Sequence, residues 1–182
     1  MKNKESFYKL FLSLNKSKVP FVLFRMPNTN TLLLQKQYDK SHYTTETLEE
    51  EGFVFAPFKK IKKYTYIPNH ITEKIKIPNA IKHQNKLIKY SSSTDKNYYL
   101  KLVNNALQAI NEGKVQKVVV SRTINATFTN ESQDAFIKLI HNYPNALVYY
   151  WSHPETGEWM GATPETLLEV NNDTYKTMAL AG

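Results

Sequence analysis

The chain contains no cysteine, which excludes disulfides, thiolate metal sites and cysteine nucleophiles together. Glycine is scarce, five in 182 residues, and none builds a phosphate-cradling loop or a Gly-x-Ser-x-Gly elbow. No apolar run approaches the ~18 residues of a membrane-spanning helix. The opening Met1-Lys2-Asn3-Lys4-Glu5 leads into an amphipathic pattern, not the apolar core of a secretory signal, so a cytoplasmic location is expected. There is no His-x-x-x-His pair and no carboxylate cluster at ligand spacing. His42, His70, His83, His141 and His153 are scattered through expected loops and helix ends and read as surface residues.

Arginine is also nearly missing. Only Arg25 and Arg122 accompany the lysines that give the formal net charge of +8. A reader of nucleic acid is expected to use arginine forks on base edges and phosphates. The lysine excess, alongside abundant Asn, Ile and Tyr, reads as compositional. The run Lys59-Lys60-Ile61-Lys62-Lys63 reads as a solvated strand edge guarded by charge. Neither a nucleic acid nor a membrane is expected as a partner.

What is present describes a globular domain. Hydrophobic residues make up 41%, aromatics 13% and charged residues 22%, enough apolar side chain for a core. Phe7, Leu10, Phe11 and Leu14 fall on one helical face, closed at residues 15–17 before Pro20. Strands are expected over Val19–Arg25 and Thr31–Gln37, with a turn-rich connector between them. Residues 38–51 read as loop or a short helix, and Gly52–Phe58 and Lys63–Ile67 as strands. Residues 68–93 lack periodicity and read as a surface excursion or mobile linker. Ser93 or Thr94 can cap a helix with the stripe Tyr99, Leu102, Val103, Ala106 and Ile110, ended by Gly113. Val115–Arg122 follows as a strand rich in β-branched residues. A helix over Gln133–Asn142 precedes strands at Ala146–Ser152, Glu158–Ala162, Thr166–Val170 and Thr174–Leu180. Short turns between successive strands argue for antiparallel pairing, so the fold class is α+β.

Three segments place a polar or special residue at the end of an apolar strand: Lys117-Val118-Val119-Val120-Ser121-Arg122, Gly161-Ala162-Thr163-Pro164-Glu165 and Ala179-Leu180-Ala181-Gly182. Each has a plain structural role when taken alone. A lysine guards a strand, a Pro-Glu step starts a helix, and small residues end a strand. In this order, with Ile110-Asn111-Glu112-Gly113 before the first and Thr166-Leu167-Leu168 after the second, they resemble the chorismate-utilising enzymes. The resemblance covers residues 94–182, with 1–93 as a loosely matching N-terminal part. It implies largely antiparallel sheets with flanking helices, about the N-terminal half of that fold.

The resemblance also implies chemistry. Members that use water as nucleophile, isochorismate synthase and salicylate synthase, carry a lysine where this chain has Lys117. Anthranilate synthases lack it. Aminodeoxychorismate synthases carry a nucleophilic lysine where this chain has Ala181. The combination is that of isochorismate synthase, which supplies menaquinone or siderophore precursors: water adds at C2 of chorismate while the C4 hydroxyl departs. By resemblance Lys117 is the base, Glu165 the acid, and Ala181 and Gly182 approach the substrate. Both catalytic groups must work in the form that water disfavours, a neutral amine and a protonated carboxyl, which burial promotes and a direct ion pair would oppose. They are therefore expected to flank the substrate without touching.

Magnesium is the implied cofactor, its glutamate ligands expected beyond this chain, together with an arginine for the substrate carboxylate. The chain is expected to be incomplete, silent by itself and prone to self-association. The alternatives are another chorismate-utilising synthase (salicylate, anthranilate or aminodeoxychorismate type) or a non-catalytic partner-binding domain.

Overall fold

The structure is a computed structural model that describes residues 2–57, 59, 63–80, 89–93, 95–127 and 132–178. In chain order the elements are α1 (Lys2–Ser17), β1 (Phe21–Arg25), β2 (Thr31–Lys36), β3 (Thr44–Thr45), β4 (Gly52–Phe55), β5 (Tyr64–Pro68), β6 (Ile71–Lys76), β7 (Lys89–Ser93), α2 (Lys96–Asn111), β8 (Ile124–Thr127), α3 (Ser132–Asn142), β9 (Leu147–His153), β10 (Gly157–Thr163), β11 (Glu169–Asn171) and β12 (Thr174–Lys176). The class is α+β with antiparallel ladders throughout. Two compact units form: residues 1–82 with 132–182, and residues 83–131.

The first unit is built on a five-stranded sheet in the order β10-β9-β1-β2-β6. Alternation along β1, β2 and β9 sends Phe21, Leu23, Leu32, Leu34, Val148 and Tyr150 to one face. There they meet Phe7, Phe11 and Leu14 of α1 and Phe136, Ile137 and Ile140 of α3, the apolar stripes of two amphipathic helices. Phe11 is fully buried with its ring 4.7 Å from that of Tyr150. Burial of such a side chain contributes about 1.5–3 kcal/mol. The opposite face carries Val22 and Trp151 against Ile67, with Phe24, Phe53, Phe55 and Tyr149 around them. Ile67, Phe53 and Phe55 come from the three-stranded sheet β3-β5-β4. Gln35 Nε2 ties the layers by donating to the Ile67 carbonyl at 2.9 Å.

Arg25 clamps the end of this sheet. Its guanidinium donates to the carbonyls of Pro144 (2.7 Å), Tyr143 (2.5 Å) and Ala146 (3.0 Å), the chain leaving α3. The Asn28 amide, in a residue at φ 59°, donates to Pro144 O as well, at 3.0 Å. The β1–β2 turn and the α3–β9 turn are thereby locked together. Asn tolerates that left-handed backbone better than most residues.

The second unit holds the β7–β8 ladder and α2. Asp95 caps α2 by accepting from the Asn97 amide, in place of the expected Ser93 or Thr94. Thr94 lies outside the described residues. Gly113, at φ 70°, closes the helix, with Lys114 N–H donating back to Ala109 O at 3.0 Å. The expected stripe of Tyr99, Leu102, Val103, Ala106 and Ile110 is the half-buried side of α2.

Four expectations change. Residues 68–93 are not simply an excursion: β6 pairs with β2 along six residues and completes the main sheet, and β7 pairs with β8. Val115–Arg122 forms no ladder among the described residues, and Val118 and Val119 are 43% and 81% exposed. Valine propensity makes an extended segment, but a strand also needs a neighbour for its N–H and C=O groups. Among the described residues, the strands expected at Thr166–Val170 and Thr174–Leu180 are the three-residue β11 and β12 around Asn172, at φ 50°, and residues 179 and 180 lie outside the described residues. Finally, His153 is no surface residue. Two places after Trp151 on the same face of β9, it is 3% exposed and stacked on that indole.

His153 has a consequence for pH. Its Nδ1 accepts from the Glu155 amide at 3.1 Å, and the His42 ring lies 5.2 Å away. Burial first, then repulsion from His42, lowers its pKa from the ordinary 6.5. The folded state thus disfavours a proton that the unfolded chain accepts. Stability from this group is present above about pH 6.5 and is lost as pH falls from there toward the lowered value. Urea melts between pH 7.5 and 5.5 should show the natural chain losing stability relative to His153→Gln. Parallel pH profiles of the two would remove His153 as the cause.

Candidate functional site

Glu165 sits where β10 ends. Pro164 has no amide hydrogen, so it stops the pairing of β10 with β9, and Glu165 follows as an exposed residue. Thr163 Oγ1 makes a long contact to Glu165 O at 3.5 Å. Farther on, Met178 N–H donates to Thr166 O (3.2 Å) and Thr177 Oγ1 to Leu167 O (2.7 Å). These bonds fold the β11–β12 hairpin back beside the Pro-Glu turn. An open cleft of about 570 Å³ results, walled by Thr163, Glu165, Leu167, Glu169, Lys176 and Met178 on one side. Met26, Pro27, Asn28, Asn145 and Leu147 contribute the other wall.

The glycine of the second motif has a steric explanation. Gly161 faces Tyr149 across the β10–β9 ladder. A Cβ there would lie 2.9 Å from a Tyr149 ring carbon and 3.0 Å from its hydroxyl oxygen. Only a bare backbone lets that ring lie against the strand leading to Glu165.

Lys117 belongs to the second unit, four residues beyond Gly113, and is exposed. Glu165 belongs to the first. Ala181 and Gly182 lie outside the described residues. What the structure does bring to Glu165 are Asn28 and Asn145, amide side chains that the linear sequence does not single out. They arrive through the Arg25 clamp, and the only signal for them is the turn chemistry of Pro27-Asn28 and Pro144-Asn145.

Among the described residues no three His, Asp or Glu side chains gather as metal ligands. In the cleft Glu169 pairs with Lys176 at 3.6 Å. No described helix is long and apolar enough to cross a membrane.

The chorismate binding enzyme family matches this chain over residues 7–182. Anthranilate synthase component 1 of Saccharolobus solfataricus is 28% identical over 93 residues. That stretch is 51% of this chain and 22% of the relative, so the chain matches well under half of that protein's length. No solved structure matches the chain.

Proposed function

This chain belongs to the chorismate binding enzyme family, and from that premise we propose that it carries the acid–base pair of an isochorismate synthase. One observation supports this reading above all: a lysine, Lys117, at the head of Lys-Val-Val-Val-Ser-Arg, together with alanine at 181. A water nucleophile needs a base, and a departing hydroxide needs an acid. Lys117 Nζ takes a proton from water as its oxygen bonds C2 of chorismate. The C1=C2 electron pair moves to C1–C6, the C5=C6 pair moves to C4–C5 and expels the C4 oxygen, and the Glu165 carboxyl donates the proton with which it leaves as water. Lysine gains one proton and glutamate loses one, so the exchange balances over the turnover. Magnesium, when bound, neutralises substrate carboxylate charge.

The cleft beside Glu165 suits the acid's side of this scheme. It is wide enough for a small ring acid, and Asn28 and Asn145 offer neutral donors for substrate oxygens. A second reading is favoured by the similarity to anthranilate synthase component 1: an anthranilate-type reaction, with ammonia in place of water. The two readings predict different products. The full-length natural protein, given chorismate and magnesium with and without ammonium, is expected to yield isochorismate in both conditions. Anthranilate appearing only with ammonium would overturn the isochorismate reading, as would salicylate with release of pyruvate.

A further inference from the structure

A second cavity, of about 320 Å³, opens at the other group of residues in the Arg25 clamp. Arg25, Thr29, Asn30, Lys76, His141 and Pro144 line it with two isoleucines. None of these residues is a carboxylate. Arg25 is 3% exposed, yet no acid among the described residues pairs with it. Its terminal nitrogens are satisfied by three carbonyls, while its Nε–H is buried without an acceptor. Burial alone lowers its pKa, with no neighbouring negative charge to oppose that shift. Carbonyl dipoles solvate a guanidinium but do not neutralise it, and a buried charge without a counter-charge is unfavourable. Lys76, at the end of β6, adds a second cation to the same wall. His141 donates Nε2–H to Pro78 O at 2.8 Å, which holds its ring at the rim.

We propose that this cavity binds a small oxyanion, a carboxylate or a phosphate, as the missing counter-ion of Arg25. The inference does not rest on the isochorismate reading. The site shares the clamp with the Glu165 cleft: Thr29, Asn30 and Pro144 line one cavity, Asn28 and Asn145 the other. An anion that tightens the first set therefore bears on the wall of the second.

The test is thermal unfolding of the chain in sodium chloride against sodium phosphate and sodium malonate at equal ionic strength. Oxyanion at about ten times its half-saturating concentration is expected to raise Tm by roughly 3–6 °C. Lys76→Ala should raise the half-saturating concentration about tenfold. Lys76→Glu tethers a carboxylate in the cavity, so it should melt higher than the natural chain in chloride and gain nothing from added oxyanion. Lys40→Glu, an equal charge change at an exposed residue away from the cavity, should respond like the natural chain. A rise with phosphate alone identifies a phosphate ligand, and one with malonate alone a carboxylate. No rise with either overturns the proposal, as does an unaltered response in Lys76→Ala and Lys76→Glu, or a response lost equally in Lys40→Glu.

Discussion

Replacing Lys117 by alanine in the full-length natural protein is expected to lower isochorismate formation by about 10²–10⁴-fold, and Glu165→Gln should do likewise. Each change deletes one proton transfer and little else. Both residues are exposed in the structure, so neither change opens a hole in the core, and circular dichroism and melting should be unchanged. The glutamine side chain still fills the turn after Pro164 and still donates a hydrogen bond, but it has no carboxyl proton to give. Because both residues serve one transition state, the double variant should fall only slightly below the worse single one. Near-normal turnover in either variant would remove that residue from the mechanism. A loss confined to KM would make it a binding group.

The largest expected effect on stability is at Arg25. Arg25→Met keeps a long side chain but strips the donors from Tyr143 O, Pro144 O and Ala146 O, which the guanidinium holds at 2.5–3.0 Å. Pro144 O and Tyr143 O keep the amides of Asn28 and Ala146 as donors, whereas Ala146 O, in the buried one of the three contacts, loses its charged donor. A destabilisation of about 2–4 kcal/mol is expected in urea unfolding from the lost charge-assisted hydrogen bonds, equivalent to roughly 10 °C in Tm. Arg25→Lys should recover only part of it, because a single ammonium cannot span three carbonyls as a planar fork does. A change below about 1 kcal/mol would mean that the clamp adds little to the fold.

The elements legible in the sequence are those specified by local pattern. α1 follows from Phe7, Leu10, Phe11 and Leu14, and α3 ends before Pro144 as its sequence requires. β9 and β10 follow from alternation around a turn at residues 153–157. β6 is hidden because Thr72, Glu73 and Lys74 face solvent on an edge strand and break the apolar alternation. The reverse holds at Val118–Val120, where propensity is strong and no described neighbour pairs. His153 reads as a turn residue, although alternation from Trp151 carries it inward. At the site, the Pro-Glu turn is readable one residue at a time. Asn28 and Asn145 are not, because only the pairing of β1 with β9 brings their turns together.

That pairing also governs how the chain acquires its structure. β1 is the middle strand of the sheet, yet Leu23 finds Tyr150, on its β9 side, only after most of the chain has been made. The other unit, residues 83–131, is synthesised in between. At about 5–20 residues per second on a ribosome, the β1–β2–β6 hairpin set waits for seconds with one long apolar edge unpaired. Closing the sheet then demands a loop of high contact order, a step that slows folding far more than it affects final stability. The nascent chain is thus most prone to aggregation while it holds three of its five central strands.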